Sequence, residues 1–430
     1  MSGRTTSLLL LLVPRAIAMN NTLARTPPMA WSSWNAFGGH QSPQITIAAA
    51  ESLVSLGLSD VGYNSVWIDG GWTDFNHGIL NASGFPTTSW PMRQMTDTIH
   101  ALNISVGIYV TGGFPAVYGH EEAWAAVAFG EWGFDGIKID HMCSFSDCWA
   151  NGTKTSNIAA IFQGPTMERW TAGIAKAGAT ERVLVQNCVV GCAPAYGPNS
   201  STPAPWGDWC PQTSNLWRTS GDINAIWGPL LSTNLASAVG RGSMSGPGGW
   251  NYLDSLEVGN SHRGIPLTPS QSRAHFSLWA VTSTPLFLGM NLTSISDDDL
   301  FIVSNREVIA VNQAWAGYAG DMLNFSSYPP VNSSVVNTSV IPATSVWWKP
   351  LPNASAAAVL FNSHGDNSTN ATISFNFDEL AWDGVPALSG FSACHVRSVW
   401  DARDLGVFDG GFSAQVPGDS VVFTIVSGCS

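Results

Sequence analysis

The sequence predicts an α/β fold: a TIM (β/α)8 barrel followed by a C-terminal antiparallel β-sandwich. In the first three quarters of the chain, apolar strand-like segments alternate with amphipathic helical segments. From about Leu323 onward, short alternating runs separated by Pro, Asn and Gly replace that pattern. The chain has 430 residues, which is too long for one ordinary core and suits one large domain with a small one, or two of similar size.

Eight segments of the first region have the composition of buried strands. A parallel sheet of βα units is covered by helices, and eight units that close on themselves form a barrel whose site lies at the C-terminal ends of the strands. The predicted strands are Met29–Trp34, Ser65–Asp69, Ser105–Val110, Gly136–Asp140, Arg182–Asn187, Leu216–Thr219, Ser243–Ser245 and Pro285–Gly289.

Helical segments fit between these strands. Ser42 and Pro43 form an N-cap and a first-turn proline, and apolar residues from Ile47 to Leu58 then share one helical face. The other predicted helices are Met92–Leu102, His120–Trp132, Met167–Lys176, Ile223–Val239, Pro269–Val281 and Asp297–Asn312.

A doubly wound open sheet is the competing architecture. It requires a phosphate-binding glycine loop that follows a strand and leads directly into a helix. None of the glycine-rich segments has that pattern: they are Gly70-Gly71, Gly112-Gly113 and Gly246-Pro-Gly-Gly249. The barrel is therefore the preferred prediction.

The C-terminal region reads as a sandwich of about 100 residues. Its alternating runs are Ser345–Trp348, Ala357–Phe361, Thr372–Phe377 and Ser420–Ile425, and Ser326–Asn337 has the composition of a surface loop near the boundary. We therefore predict a signal peptide over 1–18, a catalytic barrel over 19–322 and a sandwich domain over 323–430.

The N-terminus predicts secretion. Arg4 precedes an apolar core from Leu8 to Val13, and Ala16-Ile-Ala18 matches a small-residue cleavage site. A membrane anchor is the weaker interpretation, because this core is too short to span a bilayer and no later run of about 18 apolar residues replaces it. Acceptor sequons for N-glycosylation agree with a secreted protein: Asn81, Asn151, Asn291, Asn332, Asn353 and Asn370.

Charge and cysteine content narrow the possible partners. The net charge of −13 disfavours nucleic acid and anionic membranes, which require clustered Lys and Arg. The seven cysteines leave at least one thiol unpaired in an oxidising compartment, and their spacing does not predict a zinc site. We expect Cys394 and Cys429 to bridge the C-terminal region; among the other five, the connectivity is open.

The stretch Phe134–Asp140 carries the first catalytic candidate. A buried apolar strand that contains Lys138 and ends on Asp140 places two costly charges at the mouth of the barrel. Asp140 is the candidate nucleophile, and an aspartate that caps the next turn is the structural alternative.

Further polar and aromatic side chains follow the other predicted strands. Several carboxylates around an aromatic platform suit glycoside hydrolysis, in which one carboxylate attacks, another protonates the leaving oxygen, and aromatic faces bind the sugar. Phosphoryl transfer would require metal ligands and a phosphate cradle. The candidates are Trp34, Asp69, Tyr109, Lys138, Asp140, Arg218, Asp222 and Asp254.

Each candidate also has a structural interpretation. Trp34 and Tyr109 suit core packing, and Asp69 suits a turn cap. Arg218 and Asp222 suit an i,i+4 pair at the start of a helix, and Asp254 suits an ordinary loop. Their placement after successive strands is what favours a common site.

These residues lie in motifs that resemble the family 27 glycoside hydrolases, the α-galactosidase and α-N-acetylgalactosaminidase group, over nearly the whole mature length. The matching blocks are Thr26–Asn35, Trp67–Trp72, Gly107–Tyr109, Gly119–Glu122, Lys138–Asp140, Trp217–Ile223, Gly246–Asn251 with Leu256–Asn260, and Val308–Gln313.

The resemblance implies a barrel followed by a β-sandwich, and retaining hydrolysis without a cofactor or metal. Asp140 would be the nucleophile, kept ionised with help from Lys138, and Asp222 would be the acid/base that holds its proton. Trp34 would stack on the sugar. The remaining residues would contact sugar hydroxyls or hold the carboxylates in place: Asp69, Tyr109, Lys138, Arg218 and Asp254.

The sequence also departs from the family pattern. Gly70 replaces the second of two adjacent aspartates, Val189 stands where a carboxylate reads the 2-hydroxyl, and Tyr252 and Leu253 replace an Asp and a Pro. The usual Cys after the third strand is missing, which suggests a Cys143–Cys148 pair, while Cys188–Cys210 would resemble a family bridge.

The leading hypothesis is a secreted retaining exo-glycosidase for terminal α-D-galactosides. Loss of two charge-assisted hydrogen bonds, each worth about 1.5–3 kcal/mol, makes altered specificity the first alternative, of the β-L-arabinopyranosidase or α-N-acetylgalactosaminidase type. The alternative from another class is a carbohydrate-binding protein with weakened catalysis.

Overall fold

The computed structural model describes residues 19, 21–72, 88–111, 119–140, 149–150, 153–154, 159–188, 209–324, 341–365, 369–382, 385–386 and 390–430. Several sequence predictions lie outside these residues: the signal peptide, the loop Ser326–Asn337, Gly112-Gly113, Val189, the sequons at Asn81, Asn151 and Asn332, and Cys143, Cys148 and Cys192.

Eight parallel strands form one sheet, which confirms the predicted α/β barrel architecture. In spatial order the eighth strand precedes the first, and the others follow in sequence. The two edges approach each other where Leu256 forms a parallel bridge with Leu288. The strands are β1 (Met29–Ser32), β2 (Ser65–Ile68), β3 (Ser105–Thr111), β4 (Gly136–Asp140), β5 (Leu184–Asn187), β6 (Leu216–Arg218), β7 (Trp250–Tyr252) and β8 (Leu286–Leu288).

The predicted seventh strand, Ser243–Ser245, is wrong. Residues Gly242–Met244 form a 3-10 turn, and β7 follows a tight turn in which Gly246 and Gly249 exchange backbone hydrogen bonds. A Cβ atom on Gly249 would lie 2.7 Å from the Trp217 ring, so the glycine lets β7 approach β6 closely. The strand therefore begins after the glycine-rich turn.

Ten α-helical segments lie within the described part of the chain; one begins at the predicted cap Ser42, and another begins at a cap, Thr268, that was not predicted. The Ser42 side chain accepts a hydrogen bond from Ile45 N, and Thr268 forms a capping box with Gln271. The segments are α1 (Trp34–Phe37), α2 (Pro43–Ser55), α3 (Met92–His100), α4 (Glu121–Ala125), α5 (Ala159–Lys176), α6 (Trp209–Thr213), α7 (Trp227–Pro229), α8 (Pro269–Val281), α9 (Asp297–Val303) and α10 (Arg306–Gln313).

Several predicted boundaries differ from the structure, including that of α5, which begins at Ala159 instead of Met167. Trp34 begins α1 instead of ending β1, and α4 continues as a π-helical segment, Ala126–Glu131. The helix predicted from Ile223 begins at Trp227 and continues as π and 3-10 turns to Ala238. The last predicted helix is divided in two, because Asn305 caps a new helix with hydrogen bonds from Glu307 N and Val308 N.

The C-terminal region is an antiparallel β domain, as predicted. A six-stranded sheet in the order β9-β10-β11-β16-β13-β14 packs against a two-stranded antiparallel sheet of β12 and β15, and Trp348, Leu360 and Phe375 lie in their shared core. The strands are β9 (Asp321–Met322), β10 (Thr344–Leu351), β11 (Ser355–Asn362), β12 (Ala371–Asn376), β13 (Ala393–Ser398), β14 (Arg403–Asp409), β15 (Gly411–Val416) and β16 (Ser420–Ser427). Two-residue hairpins occur at 149–154 and 381–386. The expected Cys394–Cys429 disulfide is present.

The barrel and the β domain share a buried boundary. The Lys349 Nζ of β10 donates to the carbonyls of Val311, at 2.6 Å, and Asn312, at 2.9 Å, in the last turn of α10. Burial lowers the pKa of Lys349 well below its ordinary value. A buried lysine of one domain therefore satisfies the C-terminal carbonyls of a helix in the other.

No helix among the described residues has the length and apolar character needed to cross a membrane.

Candidate active site

The candidate residues lie at the C-terminal ends of neighbouring strands. Asp69 follows β2, Tyr109 lies in β3, and Lys138 and Asp140 lie in β4. Arg218 ends β6, and Asp254 follows β7. Because parallel strands point the same way, these side chains share one face of the barrel.

Four residues form what we call the β4 cluster: Asp69, Tyr109, Lys138 and Asp140. Lys138 Nζ lies 2.6 Å from Asp69 Oδ2, and the Tyr109 hydroxyl donates to Asp140 Oδ2 at 3.3 Å. Burial alone would lower the pKa of Lys138, but the surrounding negative charges, led by Asp69, hold that pKa well above its ordinary value. Burial and the Asp140 charge raise the pKa of Tyr109. Lys138 is therefore a fixed cation in this cluster.

A side-chain clamp holds the backbone of Asp69. Asp69 N donates to Ser33 Oγ at 3.0 Å, and Ser33 Oγ donates to Gln41 Oε1 at 2.6 Å. Gln41 Nε2 donates to the carbonyls of both Asp69 and Gly70. The loop after β1 thus determines where the end of β2 lies, a role that the sequence alone did not reveal for Gln41.

Three residues form what we call the β6 cluster: Arg218, Asp222 and Asp254. Arg218 pairs with Asp222 Oδ1 at 3.2 Å and with Asp254 Oδ2 at 2.8 Å. Asp254 raises the pKa of Arg218, although burial acts in the opposite direction. The Arg218 side chain is 2% exposed and that of Asp222 is 72% exposed. The Asp222 carboxylate of this cluster is therefore exposed to solvent, whereas the Arg218 guanidinium that it contacts is buried.

The structural interpretation of Arg218 and Asp222 as a helical i,i+4 pair is wrong. The residues between β6 and Trp227 are not helical, and Ile223 N donates to Asp254 Oδ2 at 2.9 Å. Arg218 also donates to the carbonyls of Ser220 and Gly221. This turn is shaped by Arg218 and Asp254 instead of by helix geometry.

Cys188 lies between the two clusters. Its backbone N–H donates to Ile139 O at 2.9 Å, and its Sγ lies 3.6 Å from Arg218 Nη1. The expected Cys188–Cys210 bridge is wrong, because Cys188 is a free, buried thiol whereas Cys210 is disulfide-bonded. Burial, reinforced by Asp140, raises the pKa of the Cys188 thiol. It is the unpaired thiol that the odd cysteine count required.

Trp34 and Gly70 form another part of the wall of the candidate site, next to Tyr109. Trp34 is half-buried, and the Arg263 guanidinium lies 4.5 Å from its ring centroid. A Cβ atom on Gly70 would lie 3.7 Å from Tyr109 and 3.8 Å from Trp34, which is ordinary van der Waals contact. The site therefore has room for a side chain at the position where the family pattern has a carboxylate.

A buried acid, Glu257, which was not among the predicted site residues, lies behind the site. Glu257 is 0% exposed and accepts hydrogen bonds from the side-chain amides of Asn35 and Asn260. Burial raises the pKa of Glu257 to about 8. All three residues lie inside the quoted motif blocks, but only the folded chain brings them together.

The described residues contain no group of three His, Cys, Asp or Glu side chains arranged to hold a metal ion. A cavity of about 300 Å³ lies at the opposite, N-terminal ends of the strands, lined by residues such as Arg25, Trp67 and Asp135. None of the eight candidate site residues lines that cavity, so we place the chemistry at the strand C-termini.

Two family models match this chain. The one described as alpha galactosidase A matches residues 26–314, and the one described as alpha galactosidase C-terminal beta sandwich domain matches residues 342–426. Together they cover most of the barrel and most of the β domain.

Individual relatives agree with this match. A probable alpha-galactosidase B from Penicillium simplicissimum is 30% identical over 98% of each chain. The structure of alpha-galactosidase I from Mortierella vinacea superposes with a TM-score of 0.75 at 24% identity, covering 96% of this chain and 100% of the other. A β-L-arabinopyranosidase from Geobacillus stearothermophilus has a TM-score of 0.74 at 17% identity, covering 95% and 99%. The chain therefore belongs to the α-galactosidase family, glycoside hydrolase family 27, and is a glycoside hydrolase.

Proposed function

We propose that this protein is a secreted retaining exo-glycosidase that hydrolyses terminal α-D-galactosides with Asp140 and Asp222. The observation that supports this best is the placement of two carboxylates at one end of the barrel. Asp140 stands in a cluster with a fixed cation, and the exposed Asp222 pairs with a buried arginine. Double displacement requires two carboxylates at one site, and the greater exposure of Asp222 leaves it accessible to a leaving group and to water.

In the first step, the Asp140 carboxylate attacks the anomeric carbon and forms a glycosyl ester. The bond from that carbon to the leaving oxygen breaks, and Asp222 transfers its proton to this oxygen. In the second step, Asp222 accepts a proton from water, and the water oxygen attacks the same carbon. The ester bond breaks, Asp140 is regenerated, and the sugar leaves with its original anomeric configuration.

The other residues of the clusters prepare these steps. The negative charges of Asp69, 2.6 Å away, and of Asp140 help to hold the pKa of Lys138 above its ordinary value, so that a cation lies beside the proposed nucleophile. Arg218 holds Asp222 and Asp254 on one guanidinium, so that the proton donor keeps a fixed direction. Trp34 offers an aromatic face to the sugar.

Gly70 supports a second candidate activity, the hydrolysis of β-L-arabinopyranosides. These sugars share the ring configuration of galactose and lack its exocyclic CH2OH group. A carboxylate at residue 70 would accept a hydrogen bond from a galactose hydroxyl, and glycine offers none. A sugar without the exocyclic CH2OH group therefore loses less binding free energy from the missing carboxylate than galactose does.

A substrate panel tests both candidates. Purified protein is assayed with nitrophenyl α-galactoside, α-N-acetylgalactosaminide, β-L-arabinopyranoside and α-glucoside, beside Asp140→Asn. Asp97→Asn, which removes a carboxylate from an exposed pair with Arg93, is the matched control. NMR of the first sugar product should show that the anomeric configuration of the substrate is retained. Turnover of the α-galactoside that survives in Asp140→Asn, or inversion, would refute the mechanism, and no turnover at all would favour a binding protein.

We also propose that the protein is secreted and glycosylated. Asn353 and Asn370 are exposed, as glycan acceptors must be. Expression of the full chain in a eukaryotic host, followed by N-terminal sequencing of the medium fraction and deglycosylation, tests this. The mature chain should begin near residue 19 and lose mass on deglycosylation; retention inside the cell would contradict secretion.

A further inference from the structure

A closed polar network lies beneath the site and joins three loops. Its members are Asn35 after β1, Ile223 after β6, and Glu257 and Asn260 after β7. Glu257 and Asn260 are buried, and no cation lies within ion-pair distance of Glu257 in the described part of the protein. The proposed reaction does not use this acid, although burying it is costly.

The hydrogen bonds of the network match donors to acceptors one for one. Asn35 Nδ2 donates to Ile223 O at 3.3 Å and to Glu257 Oε1. Asn260 Nδ2 donates to Asn35 O at 3.2 Å and to Glu257 Oε2 at 2.6 Å. Four amide hydrogens therefore meet four oxygens.

The orientation of both amides is determined without Glu257. Ile223 O requires an N–H from Asn35, and Asn260 Oδ1 accepts from His262 N at 3.1 Å. Both amides must then present N–H groups to Glu257, so residue 257 has to accept at both oxygens. A carboxyl group can accept at both oxygens whether or not it carries a proton, whereas the NH2 nitrogen of a glutamine cannot accept and would face one of these donors.

The network connects the sugar platform to the proposed proton donor. Asn35 directly follows Trp34, and Ile223 directly follows Asp222. Ile223 N is also held by Asp254 Oδ2 at 2.9 Å, and Asp254 pairs with Arg218. Movement of Asn35 would therefore reach both the aromatic face and the turn that carries Asp222.

Building on the proposed function, we propose that Glu257 is a positioning residue that, through Asn35, holds the turn carrying Asp222 in register with the Trp34 platform. Its effect falls on protonation of the leaving group more than on sugar binding. The charged and titratable groups that face Glu257 are Asp254 and Arg263 in its own loop and the neutral His275 of α8, whose Nε2 accepts from Glu257 N at 3.0 Å.

Leaving-group dependence tests the proposal. In Glu257→Gln, kcat/KM for an alkyl α-galactoside, which needs a proton donor, should fall about tenfold or more. For the 2,4-dinitrophenyl α-galactoside, whose leaving group departs without protonation, it should change by less than about threefold. If β-L-arabinopyranosides prove to be the better substrates, the same pair of leaving groups is used on that sugar.

Glu121→Gln is the matched control, because Glu121 is also buried and pairs with Arg169 at 2.9 Å away from this network. Glu121→Gln should change kcat/KM by the same factor for the alkyl and the 2,4-dinitrophenyl α-galactosides. An equal loss on both substrates in Glu257→Gln would show a merely structural role and overturn the proposal, as would no loss on either. If Glu257→Gln fails to fold, Glu257→Asp, which keeps two acceptor oxygens, replaces it.

Hydrogen exchange supplies a readout that does not depend on activity. In Glu257→Gln, amides of residues 33–38 and 222–226 should exchange faster than in the wild type, with no such change in Glu121→Gln. Unchanged exchange in both segments would overturn the proposed connection. If the wild type hydrolyses no glycoside, the proposed function fails, and the exchange measurement still decides whether Glu257 connects the two loops.

Discussion

The β4 and β6 clusters hold their carboxylates in different ways. In the β4 cluster, Asp140 and Lys138 lie on the same strand, and the Lys138–Asp69 pair crosses to β2 at 2.6 Å. In the β6 cluster, Arg218 is 2% exposed, Asp222 is 72% exposed, and the Glu257 network lies behind the turn between them. The first cluster is rigid because a strand builds it, whereas the second depends on loops that distant side chains hold together.

This difference indicates where the site tolerates change. Gly70 and the free Cys188 both depart from the family pattern, and they lie next to the β4 cluster and between the clusters. The supports of Asp222, by contrast, are buried and joined by hydrogen bonds through Asp254, Asn35 and Glu257. Substrate preference can therefore drift at the wall while the proton donor stays in place.

The largest expected effect comes from removing the reacting carboxylate of each cluster. Asp140→Asn should lower kcat/KM by about 10⁴-fold or more on every glycoside, because no other group forms the ester. Asp222→Asn should spare much of kcat/KM for 2,4-dinitrophenyl glycosides, because this ratio reports formation of the ester, for which their leaving group needs little protonation. Steady-state kinetics on both leaving-group classes checks this. Similar losses for both variants on all substrates would contradict the division of roles.

The next effect concerns stability and pH. The pKa of Glu257 is raised from 4.5 to about 8, so the folded state keeps a proton that the unfolded state releases. Stability should therefore fall as pH rises from 4.5 to about 8, by at most about 1.4 kcal/mol per pH unit. Urea unfolding at pH 5 and pH 8 measures this.

Glu257→Gln isolates the contribution of Glu257, because it lacks the titrating group. The wild type should lose stability relative to this variant between pH 5 and pH 8. Asp321, whose pKa burial raises to about 6, is present in both proteins, so its contribution cancels. A difference between the two proteins that stays constant with pH would contradict the raised pKa.

A smaller effect is expected at the wall of the β4 cluster. Gly70→Asp should raise the preference for α-galactosides over β-L-arabinopyranosides by about tenfold, since a charge-assisted hydrogen bond contributes about 1.5–3 kcal/mol and the added charge offsets part of it. Gly70→Ala is the control, because its Cβ fits at 3.7 Å from Tyr109. The ratio of the two kcat/KM values is the measurement. If Gly70→Ala shifts the ratio of the two kcat/KM values equally, the volume of the side chain and not its charge determines the sugar preference.

The smallest effect is expected for Tyr109→Phe. It removes a hydrogen bond of 3.3 Å to Asp140 and leaves Lys138 in place. A bond of this length should contribute about 1 kcal/mol, which corresponds to about a fivefold loss in kcat/KM. A loss above about a hundredfold would show that the tyrosine, more than Lys138, controls the nucleophile.

Much of the fold follows from local sequence patterns. Ser42-Pro43 and Thr268-Pro269 begin helices because caps and first-turn prolines act locally. β4 was predicted with its observed bounds because a buried strand has a distinct composition. The seventh strand was misplaced, since Trp250–Tyr252 is short and its position depends on a glycine turn packed against Trp217.

Only some of the residues of the candidate site could be predicted from the sequence. Residues at strand ends, such as Asp69, Asp140 and Arg218, are recognisable because barrel topology directs them to one face. Glu257 and Gln41 were missed because their roles arise from contacts between loops that are distant in sequence. The free thiol of Cys188 was missed because disulfide pairing depends on geometry that spacing does not determine.

The contact of Lys349 with α10 has a consequence for the chain as a whole. The amine of Lys349 donates to the carbonyls of both Val311 and Asn312. A barrel separated from its β domain would keep all eight candidate residues and yet expose an unfinished helix end and an apolar seam. We therefore expect the two domains to unfold together, and a replacement for the β domain to need an equivalent amine at this position.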